Sequence, residues 1–295
     1  MLTSWINALF DAIEHTWSAP VGRRWVTNVM IGSFFAALIG IELQRQGLWP
    51  AGLPQLPTSH FYAIDVAFTL YLIVEIVELV LGLADSVAGS LGKQFEVFSL
   101  ILLRESFKEL IHFSEPIRWT FENTEARDAV LLLMTDASGA LVIFALVGAY
   151  YRLQKHRRIT PSPAAERQFV TAKKGLALML LLTLTGLCVG TIVSVALGQA
   201  PIPVFDDFYT VLIFSDILIV LISLRYSTTY HVVFRNSGFA AATVMIRLAL
   251  AGPRYASVVL GIAAALFAVG LAASYNYVGQ SERTAEDAVE QRAPE

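Results

Sequence analysis

Apolar residues along this chain gather into eight runs separated by short polar breaks, covering residues 25 to 43, 61 to 83, 95 to 112, 128 to 151, 175 to 197, 205 to 224, 232 to 250 and 255 to 275. A helix of ~20 residues, at 1.5 Å each, crosses a hydrocarbon core of ~30 Å, so each run is read as a spanning helix. The third is the least apolar. Ahead of them Leu2, Trp5, Ile6, Leu9, Phe10, Ile13 and Trp17 recur at helical spacing opposite Asn7, Asp11 and Glu14. That is the pattern of an amphipathic helix that lies in the membrane interface or packs on a neighbour. Pro20 closes it, and Arg23 and Arg24 stand at the entrance to the first run. Pro50, Pro54 and Pro57 mark a loop, and residues 84 to 92 form a small polar elbow.

The polar positions inside the runs suggest a duplication. Residues 214 to 247 hold two apolar runs around a polar elbow, and a fainter copy lies earlier in the chain. Asp65 and Glu75 in the second run map onto Asp206 and Asp216 in the sixth, each 141 positions later, and Arg104 in the third maps onto Arg247, 143 later. Ala140, Leu141, Leu146 and Tyr150 of the fourth run fall over Ala265, Leu266, Leu271 and Tyr275 of the eighth at a shift of 125. The shared order is an acid in the second helix of the unit, an arginine in the third and a tyrosine ending the fourth.

The expected fold is therefore an all-α integral membrane protein of eight transmembrane helices, arranged as two parallel four-helix repeats with an N-terminal interfacial amphipathic helix. Residues 1 to 20 form that helix, 21 to 152 the first repeat, 153 to 174 a basic linker, 175 to 278 the second repeat, and 279 to 295 a polar, disordered tail. An even number of spans makes both copies enter from the same side, as parallel repeats do.

Composition agrees with this: 56% of the 295 residues are hydrophobic and 15% charged, with a mean hydropathy of +0.60, outside the range of soluble domains. The net charge of −3 gives no case for nucleic acid. The first apolar residues are interrupted by Asp11 and Glu14 with no A-x-A site after them, so no cleaved signal is expected. The single cysteine, Cys188, lies in an apolar run and reads as packing. Between Arg152 and Lys174 seven basic residues face one acid, Glu166, which puts this connection, and with it both termini, on the cytoplasmic side.

Charges within the runs carry the candidate chemistry. A charge near the bilayer centre costs on the order of 3 kcal/mol on insertion scales, so it turns into the bundle and finds a partner. Glu75 and Glu78 share a helix face. Arg104 is expected to pair with one of them, and Arg247 with Asp216. Such pairs either fix helix register or line a path for a small ion or anion. Glu109 and His112 make an E-x-x-H pattern of the kind used in di-iron bundles, but the second unit has no match for it, so a polar helix end is the better reading. The histidines sit at edges or in loops. Neither a nucleophile with its base nor a phosphate loop is present. No enzyme activity, catalytic residue, metal or cofactor is expected.

In residues 231 to 247, HVVFRNSGFAAATVMIR, the order of acid, elbow histidine, arginine four later and a second arginine twelve further resembles the phosphate-starvation-inducible PsiE family of small bacterial membrane proteins. Asp216, His231, Arg235 and Arg247 stand at that family's motif positions. The likeness covers roughly residues 206 to 275, and the first repeat loosely. Ser215 precedes the acid where the family tends to have an aromatic residue, and the acid expected near Ala251 is absent; counting back from Arg104 places Ala88 and Gly92 where the histidine and first arginine would be. The resemblance implies a bacterial inner membrane and no established activity. The functional expectation is a protein that handles a small ion or anion through Glu75, Glu78, Arg104, Asp216 and Arg247, with His231 and Arg235 at a cytoplasmic mouth. The alternative is a non-catalytic accessory or scaffold subunit. The partners these readings imply are the lipid bilayer, a small ion or anion, subunits of a membrane complex, and further copies of the chain as a homo-oligomer.

Overall fold

A computed structural model describes residues 2 to 50, 55 to 84, 87 to 117, 120, 122 to 154, 163 to 224 and 230 to 290. Among them are nine α-helices and no strand: α1 (Leu2–Ser18), α2 (Pro20–Arg45), α3 (Tyr62–Leu81), α4 (Val87–Lys108), α5 (Thr124–Leu153), α6 (Pro163–Ala196), α7 (Val204–Leu224), α8 (Tyr230–Ala251) and α9 (Arg254–Glu290). Tight 3₁₀ turns at Gly82–Ala84 and Glu109–His112 bracket α4.

Local chemistry explains many of the boundaries. Pro20 opens α2 after an extended Ala19, where its missing N–H costs nothing. Asn123 caps α5 by accepting the Ala126 N–H at 3.3 Å. The helices α2 and α6 end alike. Gly47 and Gly198 both adopt φ of +71°, and the next residue's N–H returns to a carbonyl five positions back, Leu48 to Leu43 at 2.9 Å and Gln199 to Ser194 at 2.8 Å. Only a residue without a Cβ takes this left-handed cap without strain.

Among the described residues, five helical stretches are by length and composition long and apolar enough to cross a membrane: Pro20–Arg45, Tyr62–Ala84, Thr124–Leu153, Arg167–Ala196 and Arg254–Tyr277. Large apolar side chains such as Phe35, Phe144, Leu182 and Leu266 are exposed on them, as a lipid-facing surface requires. Helices α4, α7 and α8 are not among these five stretches of the described residues, and they carry interior charge: Arg104 and Glu105, three aspartates in α7, Arg235 and Arg247.

Three segments differ from the sequence reading. Helix α4 starts at Val87, inside the expected elbow, and its final turn tightens into 3₁₀ geometry before His112. Helix α6 starts at Pro163, so the second half of the basic linker is helical, with proline again suiting the first turn. Helix α9 runs through the polar stretch to Glu290, where disorder is expected from composition; SERTAEDAVE is rich in alanine and glutamate, which favour helix. The rest of the linker, residues 155 to 162, and the last five residues lie outside the described part of the chain.

Packing divides into two cores. One is shared by α4, α5, α8 and α9, where Phe95, Phe98, Ile143, Phe239 and Ile246 meet the small face of α9. A Cβ on Gly261 would fall 2.1 Å from the Phe98 ring, and one on Gly139 2.4 Å from Val258. Small residues let helices approach closely where lipid, being as apolar as leucine, supplies no hydrophobic drive. The second core joins α1, α3, α4, α6 and α7 around Ile76, Val97, Leu180, Phe208 and Leu212. Helix α1 contributes Phe10, fully buried, and is held on α6 by Asn7 to Thr171 at 3.2 Å and by Lys174 to Asp11 at 2.5 Å. It packs on its neighbour, while Trp5 and Leu9 on its other side are exposed.

Candidate functional site

Helix α3 presents Phe68, Tyr71 and Glu75 on one face, at spacings of three and four. Arg104 of α4 meets all three. One terminal nitrogen bonds the Glu75 carboxylate and the other donates to the Phe68 carbonyl at 3.1 Å, while the guanidinium lies 5.1 Å from the centre of the Tyr71 ring. Glu75 and Arg104 are both buried, yet Glu75 Oε1 and Arg104 Nε have no hydrogen-bond partner among the described residues. Glu78 is half-buried one turn further along α3.

On α8, Arg247 is the largest side chain with no exposed surface. Its Nε donates to Asp216 Oδ2 of α7 at 3.3 Å. Both terminal nitrogens, four N–H groups in all, have no partner among the described residues. Each unmade bond of a buried donor costs about 1–3 kcal/mol. The arrangement is therefore a closed ion pair with unused capacity.

A third cluster gathers around Arg254, the first residue of α9. Its guanidinium bonds the Glu109 carboxylate and reaches Glu105 at 3.1 Å and Asp136 at 3.3 Å. Lys108 bridges Asp65 at 3.0 Å and Glu105 at 3.4 Å. Four helices are tied together here, α3, α4, α5 and α9. A cavity of about 220 Å³ opens beside the cluster, lined by Arg104, Glu105, Lys108, Asp136, Asp206, Tyr209, Arg254 and several aromatic rings.

Toward the opposite end of α4 a second cavity, of about 30 Å³, is lined by Ser90, Gln94, Lys173, Asp216 and Thr243. It has room for one or two waters. Lys173, buried in α6, donates to the Ala84 carbonyl at 2.9 Å. The two cavities share walls: α8 lends Thr243 to the small one and Leu250 to the large one, and Arg247 sits one turn from each. Helix α7 lends Asp216 and Tyr209 in the same way. Tyr209, itself buried, lies within electrostatic reach of both Arg104 and Arg247.

Of the residues singled out from sequence, Glu75 with Arg104 and Asp216 with Arg247 come together in those pairs. Glu78 joins neither hydrogen bond. Arg235 is buried but turns to α9, with its guanidinium 4.7 Å from the Tyr275 ring centre, and it stands roughly 18 Å along α8 from Arg247 by helix rise. The His231 side chain lies outside the described residues. Sequence reasoning missed Arg254, which lies just ahead of the eighth apolar run, and took Lys173 as part of the basic linker. The available signal was Asp136, a carboxylate deep in an apolar run with no partner assigned to it.

The loops beside Arg254 carry an exposed network. Glu115 accepts the His60 N–H at 2.6 Å, and its Oε2 lies 2.9 Å from His60 Nδ1 and 3.0 Å from Arg45. Donation from the His60 ring holds the Glu115 carboxyl below the usual carboxylate range. Among the described residues no group of three or more His, Cys, Asp or Glu is arranged to hold a metal ion. The chain matches no family model, no curated protein and no solved structure.

Proposed function

We propose that this protein is a polytopic membrane protein that handles a small ion through the polar interior of its bundle. The observation that carries the reading is the pair of cavities on either side of the buried Arg247, joined through the walls that α7 and α8 share. Such a layout gives an ion a wide vestibule, a closed septum and a narrow second chamber. The septum is the buried ion pair of Arg247 and Asp216, which a passing ion meets when the helices shift.

The same reading takes all eight helices from α2 to α9 as spans in two parallel repeats. In its favour, the contacts α2 to α3, α3 to α4 and α4 to α5 are echoed by α6 to α7, α7 to α8 and α8 to α9. Like elements also meet across the middle, α4 on α8 and α5 on α9. The matching glycine caps after α2 and α6, and an arginine paired to an acid of the preceding helix in each half, point the same way. On this reading the charge of the basic linker argues for both termini in the cytoplasm, with the large cavity toward the outer side, and the PsiE-like resemblance implies a bacterial inner membrane. The PsiE-like order of residues belongs to α7 and α8 on this reading.

Reconstitution in liposomes tests it. Flux of protons or monovalent ions is expected with the native chain and lost with Arg247→Ala, while circular dichroism shows the variant still helical. Native flux at the level of empty liposomes overturns the reading. A second reading, an accessory subunit, draws on α6 and α9: at 34 and 37 residues they extend roughly 50 Å or more, well past a ~30 Å core. Their cytoplasmic extensions would be docking surfaces. Partners co-purifying in stoichiometric amount from native membranes, together with silent liposomes, would establish it.

A further inference from the structure

We propose that the large cavity beside Arg254 is a binding site for a small organic cation bearing N–H donors, of the ammonium or guanidinium class. The inference rests on the ion-handling reading only for the cavity's place in a path; binding itself stands apart from transport.

Charge is the first argument. Three cations face the cavity, Arg104, Lys108 and Arg254. Each is already engaged: Arg104 by Glu75, Lys108 by Asp65 and Glu105, and Arg254 by Glu105, Glu109 and Asp136. On the wall Glu105, Asp136 and Asp206 balance these three cations, and behind it Glu75, Asp65 and Glu109 bring the carboxylates to six, so the surroundings of the cavity favour a cation over an anion. A free carboxylate oxygen is the second argument. Asp136 is 1% exposed and lines the cavity. Its Oδ2 faces Arg254, but Oδ1 has no partner among the described residues. A buried carboxylate oxygen in that position asks for a donor, which an N–H cation brings with its charge.

The aromatic lining is the third. Phe68, Phe98, Phe205 and Tyr209 contribute to the wall. Ring faces attract cations, most strongly where water is scarce, and rings combined with carboxylates are the chemistry by which proteins hold organic ammonium and guanidinium groups. Size agrees as well. About 220 Å³ accommodates a compact organic ion with some water. Exposed Asp206 and half-exposed Lys108 stand at the cavity edge, where a ligand can enter. Arg254, a guanidinium seated among three carboxylates, shows the geometry that this acid cluster already accepts.

Isothermal titration of the full chain in nanodiscs, with methylguanidinium chloride at constant ionic strength, tests the proposal. Saturable binding is expected, with Asp136→Asn weakening it at least tenfold and choline, which lacks N–H donors, binding more weakly by a similar factor. If Asp136→Asn does not fold, Glu105→Gln at the half-exposed edge is expected to weaken binding severalfold. No saturable methylguanidinium binding, binding untouched by both variants, or saturable binding of acetate in its place overturns the proposal. Cation binding without flux would leave this site standing and sink the transport reading; flux of another ion without cation binding would do the reverse.

Discussion

The two interior arginine pairs have the same chemistry in different surroundings. Arg104 lies on the wall of a cavity, spends its donors on Glu75 and a backbone carbonyl, and rests on the Tyr71 ring. Arg247 is fully buried, with a single bond from Nε to Asp216 and four N–H groups without a partner among the described residues. Arg104 borders the cavity of about 220 Å³, whereas Arg247 has no exposed surface and only its partner Asp216 borders a cavity, the small one. A pair whose arginine has both terminal nitrogens engaged holds helices together, whereas one whose terminal nitrogens find no partner among the described residues is costly to keep and is more readily explained by function. The contrast predicts that equal substitutions will have unequal effects.

Removing the acid is the strongest test. Arginine cannot give up its proton, so Asp216→Ala leaves a buried cation without a counter-charge. Loss of one partner of a buried pair costs about 3–5 kcal/mol. Glu75→Ala is expected to cost about 1–3 kcal/mol, since Arg104 keeps the Phe68 carbonyl and the Tyr71 ring and borders the large cavity. Denaturant unfolding in mild detergent, followed by circular dichroism, gives the comparison. Equal losses would mean that the two sites are equally dry. Exchanging both partners for apolar residues sharpens it further. Asp216→Leu with Arg247→Met is expected to restore stability to the native level or above it, as apolar replacements of buried pairs often do. The corresponding double change at Glu75 and Arg104 puts apolar surface on a wet wall and should recover less.

How much of this was legible in sequence depends on which residue is asked about. The helices were readable because a run of apolar residues has a length, and length maps onto bilayer thickness. The two arginine pairs were readable because a charge in such a run must find its opposite, and few candidates lay nearby. Arg254 was not. It follows Pro253 at the mouth of α9 and looks like any residue flanking a membrane span, and only the fold brings Glu105, Glu109 and Asp136 to it from two other helices. Lys173 was hidden in the same way, inside a basic stretch whose second half turns out to be helix. A sequence states that a buried Asp136 needs a partner; where that partner stands is tertiary information.

Tyr209, buried and within electrostatic reach of both arginines, is the place to test whether the two pairs act as one unit. Tyr209→Phe keeps the ring and removes the hydroxyl, with an expected cost of about 1 kcal/mol or less. Its larger consequence concerns coupling. Glu75→Gln and Asp216→Asn, combined in the native background, are expected to depart from additivity by more than the ~0.5 kcal/mol found between independent sites. In the Tyr209→Phe background the same cycle should close within that margin. Additivity in both backgrounds would show two unconnected pairs and would weaken the case for a continuous path.

The exposed network at Glu115 completes the series from sealed to wet, and it should matter least. Its partners His60 and Arg45 are themselves partly exposed, and exposed pairs contribute about 0.2–1 kcal/mol. The Glu115 carboxyl is held below the usual range, chiefly by the His60 ring. Its stabilising contribution is therefore complete above the ordinary carboxylate value of ~4.3 and disappears as pH falls through the lowered folded value. The difference in melting midpoint between the native chain and Glu115→Gln should be small and constant on this account from pH 6 to 8. It should close in acid below that window. Salt should narrow it too, since solvent-exposed charges are screened over ~8 Å at physiological ionic strength, while the gap produced by Asp216→Ala should hardly change with salt. A gap at Glu115 that ignored salt would mean that this loop network is as protected as the septum, and the gradient from sealed to wet would fail at its outer end.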